Sequence, residues 1–201
     1  MAALKVRFCD QLDGSFGWIA EEFMERCSHA LVVDGRVWVI DPVDAGGVEE
    51  RIRAAGEPAG VVQLLDRHNR DCALLAARMG VPHLVVPVQP IGPFSFLPIR
   101  MRRRWREVAL WWPPRRLLVC ADVLGTAAYY RGGDEGLAVH PLLRLRPPQL
   151  SGMHPEAILC GHGEGVFVNA DVALRQAVST SRRRLPRQLA SALRALARRP
   201  S

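Results

Sequence analysis

Residues 61–80 read VVQLLDRHNRDCALLAARMG, and the fold turns on how that stretch divides. Val61, Val62, Leu64 and Leu65 form an apolar run of strand length. Ala73, Leu74, Leu75, Ala76, Ala77 and Met79 continue at helical spacing, and Gly80 supplies a C-terminal stop. Between them lies the polar cluster Asp66, Arg67, His68, Asn69, Arg70 and Asp71. A strand therefore ends in a short acid/His/Arg turn from which a helix starts. In open α/β layers, ligands and catalytic groups gather at the carboxyl ends of strands.

Outward from this unit the chain is rich in strands on its N-terminal side. Ala30 to Val33, the turn Asp34-Gly35, and Arg36 to Ile40 make a hairpin signal, ended by Asp41-Pro42 because proline cannot continue a ladder. Residues 48–55 place Val48 and Ile52 among Glu49, Glu50, Arg51 and Arg53, an amphipathic helix. Residues 81–88 read as another short strand. From 89 to 104 three prolines blur any periodicity. A second hairpin follows, Glu107 to Trp112 and Leu117 to Asp122 around Pro113-Pro114-Arg115-Arg116. A buried strand from Pro155 to Cys160 leads into Gly161-His162-Gly163-Glu164-Gly165. Asp171 opens a helix running to about Thr180, and after Pro186 a separate amphipathic helix carries Leu189, Leu193 and Leu196 on one side. Strands followed by βα units predict sheets covered by helices, an α/β or α+β class.

At 201 residues, 49% hydrophobic and 23% charged, the chain fits one globular domain with a sizeable core. No apolar run approaches the roughly 18 residues of a membrane helix, and the N-terminus lacks the apolar core of a signal peptide, so a cytoplasmic protein is expected. The net charge of +7 is unevenly spread. Residues 175–201 carry eight arginines and no acid, which leaves 19 basic residues against 20 acids elsewhere. The expected division is a domain over 1–180 and a basic helical extension over 181–201. Arg182, Arg183, Arg184, Arg187, Arg194, Arg198 and Arg199 offer phosphate contacts to a nucleic acid, but no aromatic side chain is interleaved for base stacking. Lys5 is the single lysine against 26 arginines, so a coding bias explains the tail equally well. Cys9, Cys27, Cys72, Cys120 and Cys160 contain no CxxC pair and read as buried thiols rather than a disulfide framework.

Three strand ends deliver polar groups: Asp66, His68 and Asp71; Asp122; and His162 between two glycines. With Val39-Ile40-Asp41-Pro42 before them, these segments resemble the metallo-β-lactamase superfamily over nearly the whole chain. The family pattern has a strand ending in Asp-Pro and an H-x-H-x-D-H turn that opens a helix. A hairpin strand ending in Asp and a late G-H-G complete it. The resemblance implies an αββα sandwich of two mixed β-sheets flanked by helices. It also implies two divalent ions held between the sheets by imidazoles and carboxylates, activating a water for hydrolysis.

Laid on that motif, the first His is Asp66, the second is His68, the Asp is Arg70 and the last His is Asp71. The neighbourhood of the family's further histidine reads RMRRRWR over 100–106 and has no histidine. Arginine keeps its charge at any working pH and opposes a divalent ion at its side. The expected centre is therefore degraded, with Asp66, His68, Asp71, Asp122 and His162 as catalytic candidates. It is metal-free and impaired, with Arg70 paired to Asp66 or Asp71, and Arg70 and Arg103 receive a small anionic ligand or a partner. The alternative is a hydrolase of ester or thioester substrates with one zinc, iron or manganese on His68, Asp122 and His162. Asp41 reads as a structural brace, and His29, His83, His140 and His154 as packing or surface residues. Cys120 and Cys160 lie two positions before site residues on the same strand face; burial is their expected role and thiol ligation the alternative. Substrate and oligomeric state are not legible in these residues.

Overall fold

The computed structural model describes residues 4–150 and 152–197, with side chains up to Ser191 and that of Leu193. Alternating and continuous apolar segments build a first sheet of six strands in chain order: β1 (Val6–Leu12), β2 (Ser15–Ala20), β3 (Cys27–Val33), β4 (Arg36–Ile40), β5 (Glu57–Gln63) and β6 (His83–Val85). The first four pair antiparallel; β5 and β6 join in parallel through α1 (Val48–Ala55) and α2 (Cys72–Met79). Both helices lie where their periodicity put them. Cys72, Leu75, Ala76 and Met79 bury one face of α2, Val48 and Ile52 bury one face of α1, and both cover Phe16, Trp18, Val37, Val39 and Val61. Full burial of a side chain such as Ile52 or Leu75 is worth about 1.5–3 kcal/mol. Gly80 takes the left-handed conformation (φ 70°) and its N–H returns to the Ala76 and Ala77 carbonyls, which ends α2.

The second sheet has the order β12-β9-β8-β7, with β7 (Ser95–Arg102), β8 (Trp105–Trp112), β9 (Leu117–Cys120) and β12 (Ala157–Cys160). β8 pairs antiparallel with β7 and β9, whereas β9 and β12 are parallel. A two-stranded ladder of β10 (Leu124–Gly125) and β11 (Ala138–Val139) lies between β9 and β12 in sequence. The largest apolar cluster joins the sheets: Leu31, Ile40 and Val62 of the first meet Val108, Leu110, Leu118 and Ile158 of the second. The helix α3 (Ala170–Ala197) adds Leu174 and Ala177 to it, completing an αββα sandwich of two mixed sheets.

Three features correct the sequence reading. β7 occupies the proline-rich stretch expected to lack regular structure. It is the edge strand of its sheet, where Pro98 needs no outer partner, and its register shifts between Pro98 and Arg100. The two helices expected on either side of Pro186 are one continuous α3, with Pro186 inside it. Contacts on both sides of the proline hold it: Ser181 is buried against the Arg144 carbonyl, and Gln188 donates to the Tyr129 carbonyl at 2.8 Å. The tail arginines are also partly committed, because Arg182 donates to the Leu145 carbonyl and Arg184 pairs with Asp134. Arg198 and Arg199 and the side chains of Arg194 and Leu196 lie outside the described residues. Leu189 and Leu193 are exposed rather than packed.

Arg144 was not singled out by its sequence context, yet it is fully buried. It forms a two-point pair with Glu135 (3.1 and 2.7 Å) and donates to the Tyr130 carbonyl at 2.7 Å. No helix among the described residues is long and apolar enough to cross a membrane. All five cysteines are free and buried.

Candidate metal centre

The ends of β4, β5, β9 and β12 meet at one place. Asp41 follows β4 and has φ 44°, a left-handed conformation that aspartate tolerates better than most residues. Its Oδ1 accepts from Leu64 N at 3.0 Å and its Oδ2 faces His68 Nδ1 at 3.2 Å, so it braces the turn as expected. His68 Nε2 lies 2.8 Å from Asp122 Oδ1, and His162 Nε2 lies 3.1 Å from that same oxygen. On its far side His162 Nδ1 meets the Met24 carbonyl at 2.7 Å. Both rings are almost wholly buried, and the Asp122 side chain is 14% exposed. The glycines flanking His162 are dictated by approach. A Cβ on Gly161 would stand 2.5 Å from the Ala121 carbonyl, and Gly163 (φ 84°) would collide with Ala127 N.

Asp122 is held from behind. The fully buried Glu107 accepts from Asp122 N at 2.8 Å and Val123 N at 2.7 Å through one oxygen, and from the Trp105 indole at 2.7 Å through the other. Burial, reinforced by the Asp122 carboxylate, raises the Glu107 pKa to about 7. Tyr130 donates its hydroxyl to the Asp122 carbonyl at 2.8 Å, and the Tyr129 and Tyr130 rings flank His162 with centroids 5.8 Å away. Arg67 lies over the Trp105 ring, 4.1 Å from its centroid, with its guanidinium 3.6 Å from Asp122 Oδ2. Glu107, Tyr130 and Arg67 escaped the sequence reading. Arg67 alone carried a signal, as a neighbour of His68 in the turn.

Arg70 corrects another expectation. Its guanidinium pairs with neither Asp66 nor Asp71; it donates to the carbonyls of Cys27 (2.7 Å), Asp41 (2.8 Å) and Gly161 (2.9 Å). One planar fork thus ties the start of β3 to the ends of β4 and β12. Asp71 accepts from Asp44 N at 2.8 Å, and Asp66 joins Arg106 through its main chain while its buried Oδ1 has no hydrogen-bond partner among the described residues. Arg103 sits exposed in the β7–β8 turn and makes no hydrogen bond or ion pair among the described residues. The structure brings His68, Asp122 and His162 together, their ligand atoms all within 4.8 Å of one another, and leaves Asp66, Asp71 and Arg103 outside that group. Cys120 and Cys160 are not members of it either; burial pushes both thiols up.

Hydrogen-bond chemistry tests the group against a cation. A carbonyl only accepts, so His162 Nδ1 carries the hydrogen given to Met24, and the neutral ring turns a lone pair on Nε2 toward the Asp122 carboxylate. His68 likewise has a carboxylate oxygen on each side. The His162 lone pair, the Asp122 carboxylate and the His68 ring therefore converge, and either a proton on His68 or a cation supplies positive charge among them. Burial lowers the His162 pKa, which disfavours an extra proton there. For His68, burial and the Arg70 charge pull downward, but the carboxylates of Asp41 and Asp122 outweigh them and the pKa is raised. Burial alone would raise Asp122; the two imidazoles hold it far below the usual carboxylate range. A divalent ion would be held by His68, His162 and Asp122, with Asp41 and Met24 as the outer partners that orient the rings. The residues fit one such ion. A second finds Arg70 fixed by three carbonyls where the sequence pattern calls for a carboxylate.

No family model matches the chain, and no curated protein matches it. Solved structures do. The DIM-1 metallo-β-lactamase aligns with 90% of this chain and 100% of its own at 13% identity, TM-score 0.58. A diflavin flavoprotein fragment from Nostoc sp. PCC 7120 aligns with 96% and 100% at 13% identity, TM-score 0.60. The metallo-β-lactamase FIM-1 from Pseudomonas aeruginosa, in its mono-zinc form, aligns with 90% and 97% at 8% identity, TM-score 0.54. From the two mixed sheets, the helices that cover them and these alignments it follows that the chain has the metallo-β-lactamase fold.

Proposed function

We propose that the chain is a hydrolase of small ester or thioester substrates that works with one divalent cation on His68, Asp122 and His162, Arg70 standing in for the second. The observation that carries this reading is the convergence of His68 Nε2 and His162 Nε2 on Asp122 Oδ1, with the His162 lone pair turned toward the carboxylate. Two imidazoles and one carboxylate leave coordination positions open, as catalytic rather than structural sites do. A divalent ion there supplies Lewis acidity and an acidified water near neutral pH. The protein's own groups do the rest. Asp41 and the Met24 carbonyl orient the rings, and Glu107 and Tyr130 fix the Asp122 peptide. Arg67, half-exposed and steadied on Trp105, faces Asp122 and is placed to receive negative charge on a substrate. The mono-zinc form of FIM-1 supports single occupancy as compatible with this fold.

The competing reading is a metal-free member that binds an anion or a partner, and the fixed charge of Arg70 favours it. Metal content, with ester and thioester hydrolysis measured in zinc, iron or manganese, separates the two. The expected result is that His68→Ala, Asp122→Ala and His162→Ala each lose one equivalent of divalent metal relative to wild type, together with the metal-dependent turnover. Unchanged metal content and no turnover in any of the three metals would leave the silent member standing.

A further inference from the structure

Behind the loop that carries His162, four buried side chains with metal-ligand chemistry meet, and the centre described above uses none of them. Cys9 Sγ lies 3.7 Å from Cys27 Sγ. Cys27 Sγ is 3.5 Å from His29 Nε2 and 3.8 Å from Asp10 Oδ2, and His29 Nε2 is 3.1 Å from Asp10 Oδ2. Cys9, Asp10 and Cys27 place their ligand atoms all within 4.8 Å of one another, and all four residues are at most 8% exposed. We propose that Cys9, Asp10, Cys27 and His29 form a second cation site, built for a thiophilic divalent ion such as zinc, with a structural role.

Bonds of about 2.3 Å to sulfur and about 2.0 Å to nitrogen or oxygen give ligand–ligand edges of roughly 3.3–3.8 Å, and four separations here run from 3.1 to 3.8 Å. Cys9, Asp10 and Cys27 are the mutually close set, and His29 approaches it from the Asp10 and Cys27 side. A disulfide does not explain the sulfur pair. Cys9 is on β1 and Cys27 on β3, with β2 between them, so their backbones lie two strand spacings apart, about 9.5 Å. That exceeds the roughly 7 Å a disulfide spans.

The intervening strand is opened for the cluster by Gly17, paired with Cys9 on one side and His29 on the other. A Cβ on Gly17 would stand 3.0 Å from the His29 ring and 3.2 Å from Asp10 Oδ2, so the missing side chain is what lets the carboxylate reach the imidazole across β2. Asp10 is turned inward by a left-handed backbone (φ 51°) where the β1–β2 register shifts. Two thiolates, one carboxylate and one dication sum to −1. Arg70, on the Cys27 carbonyl, offsets that charge, whereas Arg7 nearby is paired with Glu164.

The site's work follows from its neighbours. Asp10 Oδ1 accepts from Gly165 N at 2.9 Å, and Cys27 N donates to the Gly161 carbonyl at 2.9 Å. A cation holding Asp10 and Cys27 therefore fixes both ends of the 161–165 loop, and with it His162. Binding replaces two thiol protons by the ion.

Cobalt substitution distinguishes the two centres, because only this one contains sulfur. In the full chain, Co²⁺ is expected to give a near-ultraviolet thiolate charge-transfer band that survives His68→Ala and disappears in Cys9→Ser and Cys27→Ser. Cobalt uptake without that band, or a band unchanged by Cys27→Ser, would overturn the proposal. Wild-type protein gives a second measurement should the serine variants fail to fold. In urea below the unfolding midpoint, zinc is expected to slow alkylation of Cys9 and Cys27 by at least tenfold relative to Cys72, read by peptide mapping. Equal protection of all three sets the site aside.

Discussion

Replacing Arg70 by methionine keeps the length of the side chain and removes every donor. The wild-type guanidinium makes three bonds to carbonyls at the ends of three strands, from 2.7 to 2.9 Å. Bonds to a charged group contribute roughly 1.5–3 kcal/mol each. Arg70 is only partly buried, and the Gly161 carbonyl keeps the Cys27 N–H as a partner, so the total is smaller than three full bonds. We expect Arg70→Met to cost about 3–5 kcal/mol, and at 2–4 °C per kcal/mol for a chain of this size that lowers Tm by roughly 6–20 °C. Arg70→Lys should fall between, because an ammonium keeps the charge but lacks the planar fork. The same charge depresses both His68 and His162, so its removal should tighten binding of a divalent ion even as the apo protein weakens. Thermal unfolding of wild type, Arg70→Met and Arg70→Lys, each in chelator and in zinc, reads both effects. A methionine variant that melts within about 2 °C of wild type in chelator would refute the clamp.

Other expectations concern groups away from the ligands. Burial lowers the His140 pKa to about 4 from an ordinary 6.5. Between those values the unfolded chain holds a proton the folded chain does not, so stability should fall as pH drops through the window, by about 2–3 kcal/mol. His140→Asn keeps an acceptor for Leu142 N without titrating and should flatten that slope; parallel pH curves for the two proteins would contradict the account. An interior proline costs a helix about 3 kcal/mol, so Pro186→Ala should stabilise the continuous α3 by about 1–3 kcal/mol, and a lower Tm in the variant would contradict it. Glu135→Ala leaves the Arg144 charge buried without its carboxylate and should cost about 3–5 kcal/mol, whereas Glu135→Leu combined with Arg144→Met should cost less than the single change. Urea unfolding of the three proteins decides that comparison.

What the sequence disclosed and what it hid have different physical origins. Helix α1 was legible to the residue because Val48 and Ile52 recur at helical spacing among charges, a pattern that needs no knowledge of the partner surface. His68, Asp122 and His162 were legible because each follows an apolar strand, and strand ends are where a sandwich brings side chains together. Strand β7 was hidden because an edge strand tolerates Pro98 and a register shift, which erase the alternation on which a strand is recognised. The role of Arg70 was hidden for another reason. Charge pairing draws the eye to Asp66 and Asp71 beside it, but its partners are main-chain oxygens of residues 27, 41 and 161, and carbonyls leave no trace in a list of side chains.

That distinction bears on how the centre itself is understood. A guanidinium seated on three carbonyls at the strand ends supplies, without any metal, a positive charge and a mechanical tie between the two sheets. An arginine that had replaced a metal ligand and left the carboxylates unpaired would mark decay. Here the donors of Arg70 are taken up by main-chain carbonyls, and the remaining two imidazoles and one carboxylate keep their outer partners Asp41 and Met24. Those bonds satisfy buried ring nitrogens in the absence of an ion, and they are also the bonds that would orient the rings toward one. Under the proposed single-cation reading, the outer bonds from Asp41 and Met24 would set the direction of both ligating rings beside a fixed arginine.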